Sequence, residues 1–165
     1  MLTTQLEAVI AKDIPQFLEL NNLAVPHVNG HDMASLTALI DQAWFCRQVC
    51  TADKMHGFLL VLTKGRPYAS LNYGWFCDRY DDFAYVDRIV IGEAGRGQGL
   101  AGELYQSLFV AARAAGLTRV CCEVNLEPPN LNSLAFHQYL GFVEVGQQET
   151  DGGSKRVCLL VKDLV

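Results

Sequence analysis

The sequence predicts an α/β (α+β) fold, a mixed sheet with helices packed on its faces. Three observations carry that expectation. The β-branched run Ile89-Val90-Ile91 leads through a glycine-rich loop into apolar residues at helical spacing, Leu100, Leu104, Leu108 and Ala112. Strand-like runs come first, and then strand, helix, strand, helix and strand alternate. Single glycines, Gly116 and Gly141, fall where a helix C-terminal glycine belongs.

Taken in order, Gln5 to Ile10 reads as a first strand. Asp13-Ile14-Pro15 reads as a helix start, an N-cap acid with proline in the first turn, and the helix runs to about Asn22. Asn21 to Asp32 is polar and irregular. A second helix spans Met33 to about Gln42, with Leu36 and Leu39 turned inward. Phe45–Cys50 and Gly57–Leu62 form a meander through the turn Ala52-Asp53-Lys54. Tyr68 to Tyr85 is rich in aromatic residues and reads as a hairpin. Ala84–Ile91 is the central strand, and Arg119–Val124 is the next. Glu127-Pro128-Pro129-Asn130 cannot lie inside a helix, because proline lacks the N–H and restricts its predecessor. Leu131–Leu140 is a helix, and Phe142–Val145 with Arg156–Val161 closes the chain as a hairpin.

A chain of 165 residues is expected to be one domain, residues 1–165. Half the residues are apolar and 19% are charged, which is a globular composition. The net charge of −5 argues against nucleic acid as a partner, since that requires a basic face. The six cysteines contain no C-x-x-C and no paired histidines to complete a metal set. They read as reduced, buried residues of a cytoplasmic protein, with no metal expected. No apolar run reaches the length of a membrane span, and Met1 to Gln5 lacks the marks of a signal peptide.

The loop between strand and helix has a chemical use. The first turn of a helix presents unpaired N–H groups and the positive end of the dipole, which favour an anion. Glycines clear side chains from those N–H groups, and Arg96 adds a charge able to pair with phosphate. Two readings stand: a pyrophosphate cradle, or a turn that needs glycine for its backbone angles alone. Gly97-Gln98-Gly99-Leu100-Ala101-Gly102 also spells the dinucleotide fingerprint, with Glu123 as its acid. Too little chain follows Glu123 for the usual strand–helix repeats, and Pro128-Pro129 breaks it where the next helix should begin. A nicotinamide-dependent oxidoreductase is therefore the minor rival.

Two motifs are similar to those of the GNAT superfamily of acetyl-CoA-dependent N-acetyltransferases. Arg96-Gly97-Gln98-Gly99-Leu100-Ala101 resembles the family loop [Q/R]-x-x-G-x-[G/A], placed after a strand that ends at Ile91. Asn130 through Phe142 resembles N-x-x-[S/A]-x-x-x-Y-x-x-x-G-F, with Ser133 and Gly141-Phe142 in place. The resemblance implies a single domain with a mostly antiparallel sheet, helices on both faces and a splayed central parallel strand pair. It implies that amides of Gly97, Gln98, Gly99, Leu100, Ala101 and Gly102 hold the coenzyme A pyrophosphate, with Arg96 bracing the loop. Backbone groups of Ile89, Val90 and Ile91 would pair with the acetyl and pantetheine amides, and Asn130 would contact the pantetheine arm. The acyl donor is acetyl-CoA, and the acceptor is a primary amine of a small molecule or peptide.

One departure from the pattern stands out. His137 occupies the position where the family usually carries the tyrosine that protonates the departing thiolate. Tyr139 cannot replace it, because two residues along a helix turn the side chain about 200° away. His137 is either that acid or a helix histidine bonded to a neighbour or to coenzyme A, and the missing tyrosine keeps a non-catalytic acyl-CoA sensor as a rival. A base for the amine is expected at Glu123 or Asp87, the latter also placed to pair with Arg88 or Arg119. Tyr73, Trp75 and Tyr85 wall the acceptor, fill the core or form the surface of a homodimer.

Overall fold

The computed structural model describes residues 3–165. Its strands are β1 (Gln5–Ala8), β2 (Phe45–Thr51), β3 (Lys54–Thr63), β4 (Ala84–Ile91), β5 (Arg119–Glu127), β6 (Val143–Thr150) and β7 (Lys155–Asp163). The helices are α1 (Ile14–Leu23), α2 (Met33–Gln42), α3 (Leu71–Cys77), α4 (Leu100–Ala114) and α5 (Leu131–Tyr139). The strands form one seven-stranded sheet in the order β1-β2-β3-β4-β5-β7-β6. It is mostly antiparallel, with β4 and β5 parallel, as the expected fold class requires. The chain divides into two compact units. One runs through Leu62 and resumes over Val86–Ala111; the other holds Thr63–Tyr85 and Ala112–Val165.

In the first unit, β2 pairs antiparallel with β1 and with β3. Strand β1 stops at Ala8, two residues short of the expected Ile10. The Ile10 N–H donates instead to the Asp13 carboxylate at 2.9 Å, in the turn that starts α1. Pro15 sits in the first turn of α1, where its missing N–H costs nothing. Helix α2 has the predicted bounds because Asp32 caps it, accepting the Ser35 N–H at 2.8 Å. Phe17 of α1 stacks on Phe58 of β3 with ring centroids 3.6 Å apart, and both are fully buried. Leu36, Leu39, Val49 and Leu59 are buried with them.

In the second unit, β4 meets β5 at Ala84↔Val120 and Tyr85↔Cys121. β5 pairs antiparallel with β7, and β7 with β6. The expected aromatic hairpin is a helix. Ser70 caps α3 by accepting the Tyr73 N–H, and Tyr73 and Phe76, three residues apart, turn inward together. The β preference of aromatic residues yields there to packing: Tyr73 and Phe76 lie 5.4 and 5.8 Å from the Tyr85 ring. The helix that opens at Leu100 is accordingly the fourth. Strand β5 continues to Glu127 and β6 to Thr150, both beyond the expected ends, because each stays paired with β7.

Candidate functional site

The glycine loop and the strand before it, from Val86 onward, belong to the first unit. Gly92 donates its N–H to the His56 carbonyl at 2.8 Å, which ties the end of β4 to β3. A tight turn, Glu93–Gly95, follows. Gly95 is buried, and a β-carbon there would lie 2.9 Å from Leu100 Cδ1 and 3.3 Å from the His56 backbone. Gly97 and Gly99 differ in kind. Both are exposed, both have positive φ (74° and 76°), and a β-carbon on either would enter open space. Their backbone angles call for glycine, and the space above them is clear of protein atoms. The backbone angles bear out the turn reading, and the open space leaves room for an anion.

The first backbone bond of α4 runs from the Glu103 N–H to the Gly99 carbonyl at 3.1 Å. The amides of Leu100, Ala101 and Gly102 therefore precede the helical ladder, where an anion is favoured. A β-carbon at Gly102 would also enter open space. Arg96 is exposed at the loop's tip, and the Gln98 side chain donates to the Ala94 carbonyl at 3.2 Å. The chain ahead of the loop is held closely. A β-carbon at Gly57 would lie 2.6 Å from Ile91 Cδ1 and 2.8 Å from the Val90 carbonyl oxygen. Val90 and Ile91 are thus pressed against Gly57 of β3. Two residues earlier, Asp87 forms an ion pair with Arg88 at 2.6 Å, and both side chains are buried. That is the first of the two partners the sequence offered for Asp87. Arg88 Nη1 also donates to Asn21 Oδ1 at 2.8 Å and to the Asn29 carbonyl at 3.0 Å.

The second unit carries the remaining candidates. Glu123 of β5 accepts the Tyr85 hydroxyl, whose oxygen lies 2.8 and 2.7 Å from the two carboxylate oxygens. Asn130 caps α5, its Oδ1 accepting the Ser133 N–H at 3.4 Å. His137 is 3% exposed, its ring set edge-on against Phe136 and Phe142. Its Nδ1 lies 2.7 Å from the Ser133 carbonyl oxygen, a contact only a donor can make, so Nδ1 carries the proton. Burial pushes the imidazole pKa below its ordinary value of 6.5, with the Ser133 bond opposing it. The ring is therefore neutral at neutral pH. Tyr139 is exposed on another face of α5. The Tyr73 hydroxyl donates to the Thr63 carbonyl at 2.6 Å and accepts the Arg66 N–H at 2.9 Å. It is a core residue with its polar end satisfied. Trp75 is half-buried, with the Arg79 guanidinium 3.8 Å above its ring.

Sequence reading had named Tyr85 and Glu123 separately, but nothing in their spacing announced the bond between them. Arg88 is expected from sequence only as a partner for Asp87, and Asn21 only as the start of an irregular segment. A buried arginine inside a strand was the available signal, since such a charge needs several partners. All six cysteines are free thiols, and burial raises the pKa of Cys46 to about 12. Among the described residues no cluster of His, Cys, Asp or Glu could hold a metal ion. No helix among them is long and apolar enough to cross a membrane.

The mostly antiparallel sheet with a parallel strand pair is the architecture of an acetyltransferase fold, and comparison with known proteins agrees. The sequence model of the Acetyltransferase (GNAT) family matches residues 17–142, so the chain belongs to that family, whose acyl donor is acetyl-CoA. This supersedes the oxidoreductase rival. No curated protein matches the sequence. Among solved structures, Ard1 from Thermoplasma volcanium superposes with a TM-score of 0.80 at 15% identity, over 99% of each chain. The ribosomal-protein-S18-alanine N-acetyltransferase from Escherichia coli gives 0.75 at 16% identity, over 98% of this chain and 94% of that one. NAA60 from Arabidopsis thaliana, solved with a bisubstrate analogue, gives 0.77 at 13% identity, over 98% of both chains. At these identities the likeness is one of fold.

Proposed function

We propose that residues 1–165 act as one N-acetyltransferase domain that moves an acetyl group from acetyl-CoA to a primary amine of a small molecule or peptide. The observation that carries this reading is the pair of exposed glycines at positive φ, Gly97 and Gly99, with open space above them and the start of α4 behind. Amides from Gly97 to Gly102 take the diphosphate of coenzyme A, and Arg96 adds its charge. The backbone of Ile89–Ile91 extends along the acyl and pantetheine amides as an added strand would. Asn130, with its Oδ1 committed to the helix cap, keeps its amide N–H groups for the pantetheine arm.

The neutral amine attacks the thioester carbonyl; the new C–N bond forms as the C–S bond breaks. The amine's proton passes to a base and a proton returns to the thiolate. We assign Glu123 as base in preference to Asp87, whose carboxylate is engaged by Arg88. His137 can protonate the thiolate only from its charged form, which burial disfavours. A role in shaping α5 suits its geometry better. Six free thiols, four of them buried and Cys46 and Cys77 partly exposed, support a reducing compartment, as in cytoplasm.

Thiol release from acetyl-CoA across a panel of small amines and peptide N-termini tests the reading. Acceptor-dependent release is expected. Tight acetyl-CoA binding with no release on any amine would make the chain an acyl-CoA sensor instead.

A further inference from the structure

We infer that Tyr85 is the positioning residue for Glu123, acting on acetyl transfer through the carboxylate rather than by touching the acceptor. The inference rests on the assignment of Glu123 as base.

Tyr85 has no exposed surface, and its ring is fixed among Tyr73, 5.4 Å away, and Phe76, 5.8 Å away. It is also pinned along the chain, since it pairs with Cys121 where β4 and β5 run side by side. Its hydroxyl cannot swing with a floppy side chain. It stands 2.8 Å from one Glu123 oxygen and 2.7 Å from the other, close to the carboxylate's midline. A phenol has one proton to donate, so the two oxygens share it.

Two consequences follow for Glu123. A glutamate side chain has three rotatable bonds, and a fixed donor on its midline removes most of that freedom before any substrate arrives. The donated proton also stabilises the ionised carboxylate, the form that can accept a proton, against its partial burial. In the transfer step the amine N–H proton moves to Glu123, directly or through one water, while Tyr85 retains its own. With Phe76 and Phe83 fully buried nearby, phenylalanine would satisfy the packing.

The test is a double-mutant cycle in the full chain with acetyl-CoA and the best amine of the panel. E123Q is expected to lower kcat about 100-fold, the loss of a positioned base. Y85F is expected to lower kcat about tenfold, with KM for acetyl-CoA and its affinity by calorimetry unchanged. In the E123Q background Y85F should cost less than about twofold, because the residue through which it acts is already gone. E123D keeps the charge but draws it back by one methylene, out of the hydroxyl's reach. It should lose at least as much as Y85F, and it stands in should Y85F fail to fold. A wild-type kcat in Y85F or E123D, or a Y85F loss of the same factor with and without Glu123, would overturn the inference while leaving acetyl transfer intact. If E123Q itself has full kcat, the inference falls with the base assignment. If wild type releases thiol with no amine at all, the proposed activity falls first.

Discussion

Arg88 Nη1 donates to Asn21 Oδ1 across 2.8 Å, joining β4 to α1 over 67 residues of sequence. Asn21 is fully buried, and its Nδ2 donates to the Asn29 carbonyl at 3.0 Å, the oxygen that Arg88 also reaches. A buried guanidinium, one side-chain amide and a main-chain carbonyl thus fasten the connection between α1 and α2 to the central strand.

Breaking that fastening should be costly, and unequally so. Asn21→Ala removes one acceptor from a buried donor, an expected loss of about 1–3 kcal/mol. Arg88→Met also strips Asp87 of its guanidinium, for an expected loss of about 3–5 kcal/mol. Urea unfolding of the two variants would rank them, and the reverse order would contradict the accounting.

Gly99→Val tests the cradle. The new side chain meets no protein atom, and the cost of holding a β-branched residue at φ 76° falls on stability, at about 1–2 kcal/mol. The clear space above the loop, however, is filled. Calorimetry should find acetyl-CoA binding abolished in a folded protein; unchanged affinity would place the diphosphate elsewhere.

Gly57→Ala probes the same function from a distance. Its β-carbon would press on the Val90 carbonyl and on Ile91, backbone and side chain that cannot simply step aside. We expect a loss of about 1–3 kcal/mol, as in other overpacked sites. Acetyl-CoA affinity should fall with it, given the proposed pairing of Ile89–Ile91 with the acyl end. Reduced stability with full affinity would separate that segment from the donor.

His137 makes stability depend on pH. Its folded pKa is depressed by burial, so the folded protein binds fewer protons than the unfolded chain between the folded value and about 6.5. Its contribution is complete above the unfolded value and is lost as pH falls through that window. His31 and His56 are depressed for the same reason and add the same sign. Melting temperature should therefore drop between pH 7.5 and pH 5.5, and His137→Phe should flatten that drop. An equal drop in the variant would assign it to other groups.

What the sequence discloses depends on how local the cause is. Met33–Gln42 and Ala84–Ile91 could be bounded residue by residue, because a cap at Asp32 and a β-branched run mark them. The glycine loop was legible for the same reason: strand end, glycines and helix start are contiguous. Helix α3 was missed because Tyr73, Trp75 and Phe76 look strand-forming, although Ser70 before them was an available N-cap. The bonds from Tyr85 to Glu123 and from Arg88 to Asn21 cross 38 and 67 residues. No spacing rule reaches so far, and only the sheet register and helix placement bring such residues together.

The fastening between α1 and α2 leaves room for change. It grips the connection at Asn21, at the Asn29 carbonyl and, through Asn22, at the main chain of His31. Leu23, Val25 and His27 between those points are exposed. Mutational drift, or a directed library at those three positions, can therefore explore new surface chemistry on a scaffold that does not unravel.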